Sequence, residues 1–310
     1  MNAQPDVVAR LDKVSKRYGR VVALDGVNID VRRGEVLALL GPNGAGKTTA
    51  ISLLLGLLKA DSGTATVFGE APSSLAARRR IGAMLQTTGV PETLTVGELV
   101  GLFRSYYPRP RTIADIVALA GVEDLLKRRY GKLSGGQQRR VQFALALCGK
   151  AEILFLDEPT TGLDIGARET LWRTIRRLVD DGCAVVLTTH YLEEAEALAD
   201  RIAVIASGKI VAEGDVNAIR ARVSQRRIRC VSKLTTEAIG QWPEVRSVVR
   251  NGEHIEVVTD DAETVVRQLL FEDSDLSELE VRRAGLAEAF VEITNEAAAE
   301  TTAVETKEAA

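Results

Sequence analysis

The sequence is poor in cysteine and contains no long apolar run. Its 310 residues include three cysteines, Cys148, Cys183 and Cys230, which lie far apart and are odd in number. This usage argues against a disulfide framework or a zinc site and favours a reducing cytoplasm. No stretch approaches the about 18 consecutive apolar residues of a membrane-spanning helix, and residues 1–10 lack the apolar core of a signal peptide. We therefore expect any link to a membrane to depend on a partner protein.

An excess of charge of one sign is also missing. The chain has 40 Lys and Arg residues against 43 Asp and Glu residues, a formal net charge of −3. Without a global basic field, the protein is not expected to recruit nucleic acid or anionic lipid. Apolar residues make up 45% of the chain and charged residues 27%, which is ample for one large globular domain and a smaller one.

A glycine-rich loop of the form G-x-x-x-x-G-K-[ST] follows the apolar run 35–40. Its glycines allow a tight curl in which successive N–H groups face phosphate oxygens, and the next helix, expected at 47–58, adds its N-terminal partial charge. Lys47 is expected to reach the β- and γ-phosphates, and the Thr48 hydroxyl to ligate Mg²⁺. The loop therefore predicts a nucleoside triphosphate with Mg²⁺ as the ligand, bound by Gly41, Pro42, Asn43, Gly44, Ala45, Gly46, Lys47, Thr48 and Thr49.

Two carboxylates follow a second apolar run, Ile153–Leu156. The run does not alternate, which is typical of a parallel strand buried on both faces, and active sites lie at the carboxyl ends of such strands. Asp157 is expected to hold Mg²⁺ directly or through water, and Glu158 to polarise the attacking water. A solvated turn is the alternative for this dipeptide alone, but the phosphate loop earlier in the chain makes it the weaker interpretation.

The pentapeptide Leu133-Ser134-Gly135-Gly136-Gln137 precedes a helix expected from about Gln138. A serine and two glycines at a helix N-terminus form a second anion-binding nest, with a hydroxyl donor and free N–H groups. A plain helix cap is the alternative. Because one triphosphate needs one cradle, our hypothesis is that this nest serves the nucleotide held by another subunit.

The order of predicted elements indicates an α/β domain at 1–223 that contains a helical insert at about 92–149. From 224 to 294 the pattern β-α-β-β-α-β predicts a small, ferredoxin-like α+β domain. Residues 295–310 are rich in Ala, Glu and Thr without an apolar face, so we expect a disordered tail.

Together these motifs resemble the ATP-binding cassette (ABC) family over residues 6 to about 220, where Leu133–Gln137 is similar to the family signature. The resemblance implies an α/β fold of the P-loop NTPase type, with an antiparallel β subdomain, a helical subdomain, and ATP and Mg²⁺ as cofactors. It also implies roles at matching positions: adenine stacking for Tyr18, sensing of Mg²⁺ and of the membrane partner for Gln86, communication across a dimer for Asp164, and contact with the γ-phosphate for His190.

Finer features, at 189–196, 199–202 and 289–294, resemble the drug-exporter branch typified by daunorubicin-type efflux ATPases. This resemblance implies a homodimer, paired through ATP and the signature, that works with a separate integral membrane permease. The chain would then be a peripheral protein on the cytoplasmic side of the cell membrane. Ile165 departs from the family pattern, which often has proline after the loop aspartate.

We predict an ATP hydrolase that energises export of a drug, antibiotic or lipid-like substrate. One alternative is a soluble cassette protein that acts as a clamp on ribosomes or nucleic acid. Such clamps commonly carry two cassettes or a long coiled-coil insertion, and this chain has neither, nor a basic face. The other alternative is a regulatory nucleotide-binding module, against which the intact Glu158 and His190 argue.

Overall fold

The computed structural model describes residues 6–86, 89–222, 226–283 and 285–308. The chain forms two compact units, one built from 1–216 and 294–310 and the other from 217–293. The expected boundary at residue 223 lies outside the described residues, a few positions after this division. Among the helices of the described ranges, none has the length and apolar character to cross a membrane.

The first unit alternates strands and helices, with a purely helical stretch before β6. Its elements in chain order are β1 Val7–Tyr18, β2 Val21–Arg32, β3 Val36–Leu40, α1 Lys47–Leu54, β4 Ser62–Val67, α2 Leu75–Arg78, β5 Ile81–Met84, α3 Val96–Ser105, α4 Ile113–Ala120, the 3₁₀ turns Glu123–Leu125 and Tyr130–Lys132, α5 Gly135–Ala146, β6 Ile153–Asp157, α6 Ile165–Asp180, β7 Ala184–Thr188, α7 Leu192–Leu198, β8 Arg201–Ala206 and β9 Lys209–Gly214.

Two sheets organise this unit. A three-stranded antiparallel sheet has the order β2-β1-β4, and a six-stranded sheet has the order β5-β6-β7-β3-β8-β9. In the larger sheet only β9 runs antiparallel to its neighbour. Strands β3, β6 and β7 are buried at every position, as expected for a parallel sheet covered on both faces.

The register of the central strands sets the position of the functional loops. Leu39 of β3 pairs with Thr188 of β7, and Thr188 in turn pairs with Asp157 of β6. These parallel strands therefore end level with one another. The glycine loop after Leu40 and the carboxylates at 157 and 158 consequently lie at the same edge of the sheet.

Helices α3, α4 and α5 form the helical part of this unit around a shared apolar core. Each begins with a hydroxyl N-cap, Thr95, Thr112 and Ser134 respectively, whose side-chain oxygen accepts a backbone N–H three residues later. Such caps satisfy amide groups that have no partner within the helix. The caps fix the point at which each chain segment enters its helix, including the segment that carries Ser134.

Several predicted element ends differ from the structure. Helix α1 ends at Leu54 rather than at residue 58, because the amides of Leu57 and Leu58 both turn back to the carbonyl of Ser52. Helix α5 begins three residues before the expected start, because Ser134 caps it. Helix α2 has only four residues and carries no sequence periodicity that would predict it.

The second unit contains the predicted order β-α-β-β-α-β. Its elements, with the preceding helix, are α8 Val216–Ala221, β10 Arg226–Val231, α9 Thr236–Gly240, β11 Val245–Asn251, β12 His254–Thr259, α10 Ala262–Glu272 and β13 Ser277–Arg283. The strands pair antiparallel in the order β11-β12-β10-β13. Apolar side chains of β10, β12 and α10 pack into one core.

The C-terminal segment differs from the sequence prediction of a disordered tail. Helix α11 spans Leu286–Glu308 and so continues well beyond residue 295, where the disordered tail was expected to begin. Its first turns bury Leu286, Ala289 and Ile293. Alanine and glutamate are strong helix formers, which explains how a segment without an apolar face extends a helix that is anchored at its beginning.

Candidate functional site

The glycine loop packs closely against neighbouring backbone. At two of its positions there is no room for a side chain, so that only glycine fits. A Cβ atom at Gly41 would lie 2.2 Å from the carbonyl oxygen of Ile205, and one at Gly46 would lie 2.4 Å from that of Ala23. Gly46 also has a φ of +111° and caps α1 without a side-chain hydrogen bond. The first amides of α1 are therefore free of any side-chain cap and face an anion-binding position.

Lys47 supplies positive charge within this loop. Its Nζ donates to the carbonyl oxygens of Gly41 at 2.7 Å and Pro42 at 3.0 Å. Burial lowers the pKa of Lys47, whereas the charges of Glu158 and Asp157 act in the opposite direction. The ammonium group is therefore close enough to both carboxylates to be influenced by them, and it can bind a phosphate at the same edge.

Asp157 ends β6 and is only 2% exposed. The Thr188 hydroxyl donates a hydrogen bond to its Oδ1, whereas Oδ2 is buried and has no hydrogen-bond partner among the described residues. A buried carboxylate oxygen without a partner costs free energy, which a cation or an ordered water at that atom would offset. The described residues contain no group of three or more His, Cys, Asp or Glu side chains able to hold a metal.

Glu158 adopts a left-handed backbone conformation with a φ of +50°. Such a conformation costs a non-glycine residue about 1–3 kcal/mol and persists only where neighbours hold it. The amide of Glu158 donates to the Thr188 carbonyl at 3.0 Å. Its carboxylate Oε1 lies 3.2 Å from Nδ1 of His190. The backbone turn thus directs this carboxylate toward the residue that follows β7.

His190 lies beside Glu158 with its side chain 47% exposed. Its ring packs against that of Tyr191 in a tilted arrangement, with ring centroids 4.0 Å apart and ring planes 39° apart. The amide of Tyr191 in turn donates to the hydroxyl of Thr189 at 2.9 Å. The imidazole is therefore held on one side by the carboxylate and on the other by a ring, and its remaining edge is open to a ligand.

Ser134 and Gln137 form a reciprocal capping box at the start of α5. The Ser134 hydroxyl accepts the Gln137 amide at 3.3 Å, and the Gln137 side chain accepts the Ser134 amide at 3.1 Å. Gly136 lies so close to the loop at 161–164 that a Cβ there would be 2.7 Å from the Gly162 carbonyl oxygen. Asp164 ends this loop and caps α6 through the amide of Ala167.

The structure therefore brings together one part of the predicted site and leaves another part separate. Lys47 with its loop, Asp157, Glu158 and His190 share one edge of the sheet. Within the described ranges, no hydrogen bond or ion pair joins 134–137 to the loop at 41–49. Tyr18 is 48% exposed at the end of β1, and Gln86 is exposed just beyond β5.

Two residues of this region were not found by sequence reasoning. Thr188 holds both carboxylate-bearing residues through its side chain and carbonyl. Arg139 of α5 donates to the carbonyls of Asp157 and Glu158. The signal for Thr188 was its place at the end of an apolar strand just before a predicted site histidine. No local signal marked Arg139, because its partners are distant in sequence.

A parallel sheet with a glycine loop at the end of one strand and two carboxylates at the end of another defines a P-loop nucleoside triphosphatase. Comparison with known proteins narrows the class of this chain to one family, since a family model described as ABC transporter matches residues 24–161. The chain belongs to the ABC transporter family, and it is an ABC-type ATPase. The resemblance inferred from the motifs is thereby confirmed.

Relatives in sequence and structure agree with this assignment. The daunorubicin resistance ATP-binding protein DrrA3 of Streptomyces coeruleorubidus is 36% identical over 306 residues, covering 94% of this chain and 97% of the relative. Nod factor export ATP-binding protein I of Burkholderia orbicola (strain AU 1054) is 41% identical over 221 residues, covering 68% and 73%.

A dimeric, post-hydrolysis structure of the ATP-binding cassette MJ0796 with ADP and Pi is 26% identical, with a TM-score of 0.61 over 67% of this chain and 98% of that one. An ATP-binding subunit of an ABC transporter is 27% identical, with a TM-score of 0.64 over 69% and 92%. These neighbours confirm the predicted α/β cassette fold.

Proposed function

We propose that this chain is the ATP-binding and ATP-hydrolysing subunit of a membrane exporter, and that two copies close around ATP to drive it. The grouping of Lys47, Asp157, Glu158 and His190 at one edge of the sheet carries the hydrolytic part of this proposal. Relatives named for Nod factor export and daunorubicin resistance support the export part over a clamp or a regulatory module. The proposed cargo is a drug, antibiotic or lipid-like molecule.

Mg²⁺ fits the oxygen donors of this region. Asp157 offers a buried oxygen that no other described residue hydrogen-bonds, Thr48 lies exposed in the first turn of α1, and Gln86 offers a carboxamide oxygen. Mg²⁺ takes such ligands together with waters and substrate phosphates. When bound, the ion neutralises charge on the β- and γ-phosphates. We propose these three side chains as its protein ligands, directly or through water.

In the proposed mechanism, water attacks the γ-phosphate in line with the departing ADP. Glu158 polarises this water, an effect worth about 10²–10⁴-fold in rate for general-base assistance. His190, 3.2 Å from the Glu158 carboxylate, orients that group and contacts the γ-phosphate. Lys47 and the loop amides stabilise the charge that spreads over the transferring phosphoryl group.

The second anion nest closes the site from the opposite copy. In its capping role Ser134 uses its hydroxyl oxygen as an acceptor, which leaves the hydroxyl proton to donate to a phosphate of the twin's nucleotide. Gly135 and Gly136 add backbone N–H groups, and Gln137 holds the turn. Next to Asp164, the apolar side chain of Ile165 is 74% exposed, which supports burial of this surface in a dimer.

Tyr18 is proposed to stack on the adenine ring. It lies on the β1–β2 hairpin, and the same hairpin touches the phosphate loop where Ala23 meets Gly46. The half-exposed ring offers a face to the base, and base–aromatic stacking is worth about 1–3 kcal/mol. The base would then lie on the antiparallel sheet while the phosphates lie at the edge of the parallel sheet.

The Glu158→Gln variant tests the proposed cycle. We expect it to bind ATP as the wild type does, to lose about 10²–10⁴-fold in turnover, and to accumulate as an ATP-bound dimer. Size-exclusion chromatography with light scattering, with and without Mg·ATP, measures this. Glu123→Gln, an exposed glutamate in a 3₁₀ turn, is the matched control and should hydrolyse ATP normally. A Glu158→Gln chain that binds ATP but stays monomeric at saturation would contradict the model.

A further inference from the structure

Arg139 joins three segments of the first unit. It lies half-buried on α5, five residues after Ser134. Its Nη1 donates to the carbonyl of Leu85 at 3.3 Å and to Oε1 of Gln142 at 2.9 Å. Its Nη2 donates to the carbonyls of Asp157 at 3.3 Å and Glu158 at 2.8 Å. One guanidinium thus connects α5, which is the signature helix that begins after Ser134, with Leu85 and with the turn at Asp157 and Glu158.

The contacts of Arg139 define the backbone geometry of Glu158. The peptide group before Glu158 is held at its oxygen by Arg139 and at its nitrogen by the carbonyl of Thr188. The peptide group after Glu158 is held at its oxygen by Arg139 at 2.8 Å and, over a longer distance of 3.4 Å, by the amide of Thr161. Because two flanking peptide planes fix φ and ψ, these bonds maintain the left-handed conformation that aims the carboxylate.

Only arginine among the side chains offers this arrangement. Its planar guanidinium carries five N–H donors in a fixed fork, whereas a lysine ammonium is a single point charge on a flexible stem. Burial lowers the pKa of Arg139, and the charges of Asp157 and Glu158 oppose this effect. The guanidinium stays protonated in proteins, so all of its donors remain available.

We propose that Arg139 is the positioning residue for Glu158 of its own subunit, while the helix that carries it presents Ser134 to the nucleotide of the twin. The subunit assignment rests on the proposed ATP-bound dimer. Arg139 acts through backbone carbonyls and touches neither nucleotide. In each copy, Arg139 therefore links Glu158, which acts on the nucleotide bound by that copy, to α5, whose Ser134 contacts the nucleotide bound by the other copy.

The Arg139→Met variant is the first test. We expect kcat to fall by about 10²-fold, as misplacement of a reacting group by about 1 Å does, with the KM for ATP changed less than about two-fold because the phosphate loop is untouched. Arg139→Lys keeps the positive charge but cannot donate to both peptide groups, so its kcat should lie between those of the wild type and Arg139→Met. Arg173→Met, an exposed arginine whose contacts stay within α6, is the control. Wild-type kcat in Arg139→Met overturns the proposal.

Mixed dimers distinguish positioning from a general structural role. In the first, Arg139→Met is in one copy and Glu158→Gln is in the other, so the only hydrolytic Glu158 belongs to the copy without Arg139. In the second, both substitutions are in the same copy, so the only hydrolytic Glu158 has its own Arg139. We expect the first dimer to lose about 10²-fold in turnover and the second to match a dimer with a single Glu158→Gln copy.

Each other outcome has a distinct meaning. Equal losses in both mixed dimers, or a lower melting temperature and weaker ATP binding of Arg139→Met that account for its loss, would show a structural role and overturn the proposal. A loss confined to the second dimer would show that Arg139 acts through the signature helix on the twin's site. A wild-type chain that stays monomeric with saturating ATP would instead overturn the proposed dimer, and with it the subunit assignment.

Discussion

The ammonium group of Lys47 lies within the glycine loop, bonded to the carbonyls of Gly41 and Pro42. These carbonyl bonds are exchangeable, since a phosphate oxygen is a stronger, charge-assisted partner for the same donors. Burial lowers the pKa of Lys47, and the charges of Glu158 and Asp157 oppose part of this effect. The side chain is therefore held next to the residues proposed to act on the γ-phosphate.

Lys47→Ala should abolish turnover, because it removes the cation that offsets charge on the β- and γ-phosphates. ATP hydrolysis and binding of a fluorescent nucleotide analogue, measured in parallel, check this. Lys59→Ala is the control, as Lys59 is an exposed lysine shortly after α1 and should behave as wild type. Undiminished ATPase activity of Lys47→Ala would refute the assignment of the loop.

Glu194 is a fully buried carboxyl in the first turn of α7. The indole Nε1 of Trp172 donates to its Oε1 at 3.2 Å. Burial raises the pKa of Glu194, and the neighbouring polar groups of Thr189, Trp172 and Thr160 offset part of this rise. The folded state thus holds this proton more tightly than the unfolded state, so rising pH above the ordinary carboxyl pKa costs stability.

Glu194→Gln should remove this pH dependence while keeping an acceptor for Trp172. We expect the variant to unfold at the same temperature as wild type near pH 4, where both side chains are neutral, and at a higher temperature near pH 8. Thermal melts across this range measure the difference. If Glu194→Gln instead melted at a lower temperature than wild type at pH 8 but not at pH 4, the charged form of Glu194 would be the stabilising one.

At the scale of elements, α5 combines two tasks on one rigid segment. Its N-terminus carries the Ser134–Gln137 capping box, and one turn further Arg139 holds the backbone at Glu158. A helix keeps these two points at a fixed separation and angle. The Ser134 hydroxyl caps the helix and is also proposed to bind a phosphate. Its contribution to stability and its contribution to activity can therefore be separated by experiment.

Ser134→Ala and Thr112→Ala form a matched pair for this purpose. Each removes a hydroxyl N-cap, at α5 and α4 respectively, and each should cost about 1 kcal/mol in the free energy of unfolding. Only Ser134→Ala should also lose ATP hydrolysis and ATP-dependent dimerisation. Denaturant unfolding and steady-state ATPase assays check the two effects. If both variants retained full activity, the proposed phosphate contact of Ser134 would be wrong.

The sequence predicted these elements best where burial decides them. Strands β3 and β6 are buried at every position and were located within a residue of their ends, because both faces of a parallel sheet are covered. Helix ends were less accurate, since they depend on caps and turns such as that at Ser52. The contacts of Arg139 were not predictable, because they join carbonyls brought together only by the tertiary fold.

At the scale of the whole molecule, the described residues provide an ATP-driven machine without a membrane-crossing helix. The export role proposed above assigns passage through the membrane to a separate permease. We expect a neighbouring reading frame to encode a protein with several apolar segments of about 20 residues, and the tagged chain to co-purify with it from detergent-solubilised membranes. Expression of the chain without this protein is the control and should leave it in the soluble fraction. Recovery with ribosomes, in the presence of the permease, would favour the clamp alternative instead.

The pairing of Thr188 with both Leu39 and Asp157 has a consequence for how this protein can vary. A single inserted residue within β7 would turn Thr188 to the opposite face of the sheet and would deprive Asp157 and Glu158 of the partner that both share. Insertions in the loops that precede β3, β6 and β7, at the amino ends of these strands, leave that pairing intact. Length variation among descendants of this sequence should therefore accumulate at one edge of the sheet and be eliminated by selection at the other.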